Sequence, residues 1–161
     1  MNWARVKIAV LALVVFLVAM QLIQPQRTNP PAVASRALWT RVDVPPEVQS
    51  SLMRACGDCH SNHTVWPWYS RVAPVSWVVT DDVNEGRRHM NFDDWDAQES
   101  AKQANDHLID ICKEITTKGM PPFTYRIAHR ESQLKTQEIS AICSWSKSFG
   151  AAPGNASGAR P

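Results

Sequence analysis

The chain has 161 residues and a formal charge of +2 at neutral pH. That length allows one domain and an appendage, and that charge is too balanced for a nucleic-acid footprint, so no nucleic-acid partner is expected. Seven tryptophans against six glycines, apolar residues mostly three and four apart, and few alternating β-branched runs argue for a mainly α domain.

Residues 8–23, IAVLALVVFLVAMQLI, are apolar except for Gln21. Sixteen helical residues rise about 24 Å, slightly short of a hydrocarbon core of roughly 30 Å; Val6 and Gln24 extend the span and Lys7 can snorkel. Residues 1–24 therefore read as an N-terminal membrane anchor or a cleaved signal segment. The only A-x-A-like site, Ala32 to Ser35, lies nine residues past the apolar run and beyond three prolines, which favours the anchor. A soluble core helix would show a polar face, and none interrupts the run. Arg5 and Lys7 before the span predict export of the remainder. No cysteine follows the run, against a lipoprotein anchor.

Residues 25–44, rich in proline and polar side chains, read as a linker. Pro45 and Pro46 open a helix from Glu47 to about Cys56 with Val48, Leu52 and Ala55 on one face, and Gly57 turns the chain. Residues 62–74, broken by Pro67 and Pro74, are expected to be irregular. A second helix runs from Val75 to about Glu85 with Val75, Val78, Val79 and Val83 inward. Residues 89–100 form a connector in which Asp93 and Asp94 are capping residues. A third helix, from about Asp96 to Lys118, carries the row Ala101, Ala104, Leu108, Ile111, Cys112 and Ile115, and Gly119 ends it. Two consecutive prolines predict a loop over residues 120–134. A fourth helix spans about Thr136 to Phe149 with Ile139, Ile142, Cys143 and Phe149 inward. The folded domain is thus expected over residues 45–149, and a disordered tail over 150–161.

Cys56-Gly57-Asp58-Cys59-His60 is C-x-x-C-H, the attachment pattern of haem c. Each thiol adds across one vinyl group to give a thioether, and the following histidine points its imidazole at the iron. Two rivals compete. Zinc would take the cysteine pair with His60 or His63 as half a site, but Cys112 and Cys143 stand alone on separate helices. A thioredoxin-like redox pair wants its motif at a helix N-terminus after a strand, whereas this one ends a helix. A haem also needs a second axial position. Met120 in KGMPPF, residues 118–123, is the candidate distal ligand; His/Met ligation would raise the reduction potential. His129 is the best substitute, ahead of His63, His89 and His107, and an open sixth position is a further alternative. Trp66, Trp68, Tyr69 and Trp77 are candidates to wall the haem. Arg71, rather than Arg87 or Arg88, is the candidate partner of a propionate. Cys112 and Cys143, on inward rows of two helices, are either a disulfide or buried free thiols.

The segments CGDCHSNHTVWPWYSRVAPVSW (56–77), DVNEGRRHMNFDDW (82–95) and KGMPPFTYRIAH (118–129) together resemble the small haem-binding domain family of bacteria. The resemblance covers about residues 45–146. It implies a cytochrome c-like small helical domain around one covalent haem, a single-pass protein of the bacterial inner membrane with that domain in the periplasm. Cys56, Cys59, His60 and Met120 are the matching site residues, while Cys112 and Cys143 lie outside the pattern. The expected function is electron transfer with a periplasmic or membrane redox protein as partner. A haem-based peroxidase or ligand sensor with an open or labile sixth site is the alternative, and a zinc-stabilised interaction module is a third reading.

Overall fold

Helix α1, Trp3–Met20, opens the computed structural model, which describes residues 2–95 and 101–148. Asn2 caps it by accepting the Ala4 N–H at 3.3 Å, so it begins five residues before the expected apolar run. It is long and apolar enough to cross a membrane, and none of it is buried in the protein.

Residues 25–44 are no free linker. They run along the domain as a strap that includes a 3-10 turn at Ala34–Arg36 and a short helix α2, Leu38–Arg41. Leu38 is fully buried and its N–H donates to the Phe92 carbonyl at 2.7 Å. Arg27 and Asn29 donate to the carbonyls of Ser70 and Thr64. Polar and proline composition suggested a stalk because hydrogen bonding to a neighbour leaves no apolar periodicity to read.

Helix α3, Pro46–His60, continues through the whole C-x-x-C-H segment, past the expected end at Cys56. Gly57 does not turn the chain; it is buried against the Met53 side chain, and the Ser61 hydroxyl donates to its carbonyl at 2.7 Å to close the helix. A 3-10 turn at Trp68–Arg71 interrupts the expected irregular stretch. Helix α4, Val75–His89, packs on α3. Its buried residues are Ser76, Thr80, Val83 and Gly86, whereas Val75 is 44% and Val78 60% exposed. Val83 is thus inward as expected and Val79 half-buried, but Val75 and Val78 are turned away from the protein interior, and Gly86 faces α3, where it lets the backbones approach.

Helix α5, Ala101–Thr116, buries Leu108, Ile111, Cys112 and Ile115 as the spacing predicted. It stops before Gly119; Lys118 takes the left-handed turn at φ 62°. The expected loop over 120–134 contains helix α6, Phe123–Ala128, and a 3-10 turn at Arg130–Ser132. Pro121 and Pro122 precede α6, where a missing N–H costs nothing, so the prolines start a helix here. Helix α7, Thr136–Ser148, packs against α5 and buries Ile142 and Cys143. Cys112 and Cys143 form a disulfide. Phe149, the tail and residues 96–100 lie outside the described residues. The core gathers Leu38, Leu52, Phe92, Leu108 and Ile142, and the described residues contain no strand.

Candidate functional site

The last turn of α3 presents Cys56, Cys59 and His60. Three residues apart on a helix, the two cysteines share one side of a turn. Both are free thiols and half-buried. Burial pushes Cys56 up to about 12 and Cys59 up to about 11. Neither is a thiolate at neutral pH, and the negative end of a helix adds to that preference. A reactive disulfide-exchange pair needs the opposite environment.

His60 is 7% exposed. Burial lowers its pKa, so the ring is neutral. Its Nδ1 lies 2.9 Å from the Met90 carbonyl, which can only accept, so the proton sits on Nδ1. The lone pair is left on Nε2, the arrangement found for imidazoles that ligate metals.

The segment after α4 braces this histidine. The Phe92 N–H donates to the His60 carbonyl at 2.8 Å, and the Phe92 ring lies 6.0 Å from the imidazole. Asn91 donates to Asn62 at 2.9 Å. Asp93 is buried and accepts the Asn62 N–H at 2.7 Å, while the helix start it was expected to cap lies outside the described residues. Asp94 pairs with Arg36. Gly86 lets α4 meet α3: a Cβ there would lie 2.6 Å from the Cys59 carbonyl oxygen. Arg87 donates to the Ser61 and Thr28 carbonyls, to Asn29 and to Thr64, so it ties the strap to the site. The sequence motif D-V-x-x-G-R with its following N-F is thus a buttress. Its glycine and arginine were the signal, and their structural work was not apparent without the fold.

Three neighbouring cavities surround the motif. One of about 330 Å³ is lined by Cys56, Cys59, His60, Gly86, His89 and Met120, among others. A second, about 410 Å³, extends from Cys59 along Val75, Val78, Val79 and Val83 to Tyr69. A third, about 250 Å³, includes Cys56, His60, His107 and Met120. A wider cavity of about 640 Å³ lies on the other side of Met120 and touches neither cysteine nor His60. Met120 is 40% exposed and stands between them.

The outward turn of Val75 and Val78 now has an account: with Val79 and the buried Val83 they wall the second cavity, which Tyr125 and His129 of the α6 segment also line. The Tyr125 hydroxyl donates to Asp58 at 2.6 Å, its ring stacks on His129 at 4.4 Å, and Tyr69 and His129 are hydrogen-bonded at 2.6 Å. Burial and the Asp58 bond raise the Tyr125 pKa, so it stays a donor. Tyr125 was missed because α6 was expected to be a loop.

Other predicted residues are placed elsewhere. Trp66 donates to Asn29 and so holds the strap, and Trp77 donates to the Ile23 carbonyl just before it. Trp68 is 78% exposed. Arg71 lines a shallow pocket with Arg27 and Trp66, apart from the cysteines. Of the four aromatics expected as walls, only Tyr69 lines these three cavities. His63 is exposed and faces Asp93 at 3.6 Å.

The donor chemistry fits a haem. Two neutral thiols, a neutral imidazole with a free Nε2 and a thioether border one apolar space, beside a row of valines. It fits zinc poorly, since among the described residues no three His, Cys, Asp or Glu side chains converge as a metal site. A family model described as a haem-binding domain matches residues 15–148. No curated protein and no solved structure matches the chain.

Proposed function

The chain belongs to the haem-binding domain family, and from that premise we propose that it is a membrane-anchored c-type mono-haem protein that transfers electrons in the periplasm. One observation carries this: Cys56, Cys59, His60 and Met120 line the same cavity. When bound, haem supplies an iron that takes up and releases one electron. Cys56 and Cys59 would hold it through two thioethers. His60 would offer Nε2 to the iron, and the Met90 carbonyl keeps its ring in that orientation. Met120 would offer its thioether to the iron, which would favour the ferrous form. Val75, Val78, Val79 and Val83 exclude water from one wall. Helix α1 anchors the chain in the inner membrane, and the partner is a periplasmic or membrane redox protein.

The exposure of Met120 favours a second reading, a peroxidase or ligand sensor in which that position is labile. Both are tested on full-length protein matured in a host that attaches haem c. Denatured and reduced in pyridine, it should show the α-band of a haem with both vinyl groups consumed, and its mass should exceed that of the polypeptide by one haem. A weak far-red band in the native ferric protein, lost in Met120→Ala, supports electron transfer. Rapid CO binding by the reduced wild type supports the second reading. Colourless protein at the bare polypeptide mass overturns both.

A further inference from the structure

Helix α1 has 18 residues, a rise of about 27 Å, so Gln21 just past its end lies at the edge of a hydrocarbon core of roughly 30 Å. The Gln21 side chain exchanges two hydrogen bonds with the backbone of Ala73, at 3.1 and 2.9 Å. Trp77 donates to the Ile23 carbonyl at 2.7 Å and Arg27 to the Ser70 carbonyl at 3.1 Å. Residues 70–77 are thereby tied to the chain's exit from α1. If α1 spans, this stretch lies within the headgroup layer, which is roughly 5–7 Å deep on each side.

The surface presented there is unusual for a water-facing turn. Trp68 and Val72 are exposed, Arg71 belongs to the same turn, and Arg27 donates to the Ser70 carbonyl within it. Val75 and Val78 of α4 owe their exposure to the cavity they wall, but Trp68 and Val72 line none of the three cavities around the cysteines. An exposed indole, an apolar neighbour and arginines are the composition that settles at a membrane interface, with the ring at headgroup depth and the guanidinium groups toward lipid phosphates.

We propose that the turn Trp68–Val72 seats on the lipid surface beside α1 and so fixes the orientation of the domain on the bilayer. Tyr69, edge-on to Trp68 at 5.8 Å, is a wall of the second cavity, so seating this turn holds that cavity close to the membrane plane. The inference rests on the membrane reading of α1.

The test uses full-length, haem-loaded protein in vesicles of phosphatidylcholine and phosphatidylglycerol. With the four native cysteines in thioethers and a disulfide, Trp68→Cys provides a single thiol for a nitroxide label. Leu11→Cys in α1 and Ser144→Cys, exposed on α7, are the references. Collision with oxygen relative to a water-soluble nickel chelate should be at least about threefold higher at position 68 than at 144, as expected for a ring at the headgroup boundary. A lipid-exposed label at 11 with a water-exposed label at 68 overturns the seating and leaves the anchor intact. A label at 11 that behaves as at 144 overturns the anchor and the seating with it. A label at 68 shielded from both reagents shows that a protein, a partner or a second copy, covers the turn, and also overturns it.

Discussion

Cys112 and Cys143 stand 31 residues apart on two helices and are joined; Cys56 and Cys59 stand three apart on one helix and are free. Around the joined pair, Leu108, Ile111 and Ile142 are buried against one another. Around the free pair, a row of valines, a methionine and a tyrosine border open space. The first region completes itself with its own side chains. The second carries apolar surface the chain does not cover, and such surface marks a place where something else binds. The two cysteine pairs thus divide the molecule into a half that folds on itself and a half built for a ligand.

The sharpest way to break this division is to remove each pair in turn. Cys56→Ala with Cys59→Ala should abolish covalent haem, read as loss of the haemochrome band and of the added mass. Cys112→Ala with Cys143→Ala should keep the haem and lower stability instead. Closing a 31-residue separation is worth about 3–4 kcal/mol in the chain-entropy model. Urea unfolding of the two double variants checks this. Haem loss in the second would show that the halves are not separable.

The two buried glycines of α3 and α4 sharpen it next. A Cβ on Gly86 would meet the Cys59 backbone carbonyl, which cannot move without displacing the attachment turn. Gly86→Ala should therefore cost about 1–3 kcal/mol and reduce haem yield. A Cβ on Gly57 meets only the tip of Met53, at 3.3 Å. Gly57→Ala should be neutral or stabilising by up to about 1 kcal/mol, since glycine inside a helix is unfavourable by that amount. Equal costs at the two positions, measured by thermal unfolding, would refute the close approach of α4 to the motif.

The self-completed half was legible in the sequence and the ligand half only partly so, for a physical reason. The row Leu108, Ile111, Cys112 and Ile115 is buried against neighbours of the same chain, so its spacing predicts its environment. Val75 and Val78 have the same kind of spacing, but a periodic apolar face says only that water is excluded, not by what. The chemistry-bearing residues Cys56, Cys59, His60 and Met120 were visible because motif and loop chemistry name residue types. Their supports were not. Arg87 was weighed as a propionate partner and instead ties down the strap, and the strap itself, bound by hydrogen bonds, leaves no periodic trace.

The smallest expected effect lies at Glu138, at the start of α7. Its carboxylate accepts the Lys135 N–H at 2.7 Å and the Arg54 guanidinium at 2.5 Å, half of a capping box joined to an ion pair with α3. The Lys135 bond first, and Arg54 with it, hold its pKa below the usual 4.5. A carboxylate with a lowered folded pKa stabilises fully above the unfolded value and loses that contribution as pH falls through the folded one. The pair is partly exposed and screened, so Glu138→Gln should cost only about 0.5–1 kcal/mol at pH 7. Only when the pH falls below that lowered folded value should the wild type and variant converge, because both side chains are then neutral. Haem content should not change, since neither Glu138 nor Arg54 lines the three cavities around the cysteines. Urea titrations at the two pH values, with haem absorbance recorded on the same samples, separate the outcomes. A gap that persists in acid would assign the effect to shape instead of charge, and a drop in haem would show that α7 supports the attachment turn through Arg54.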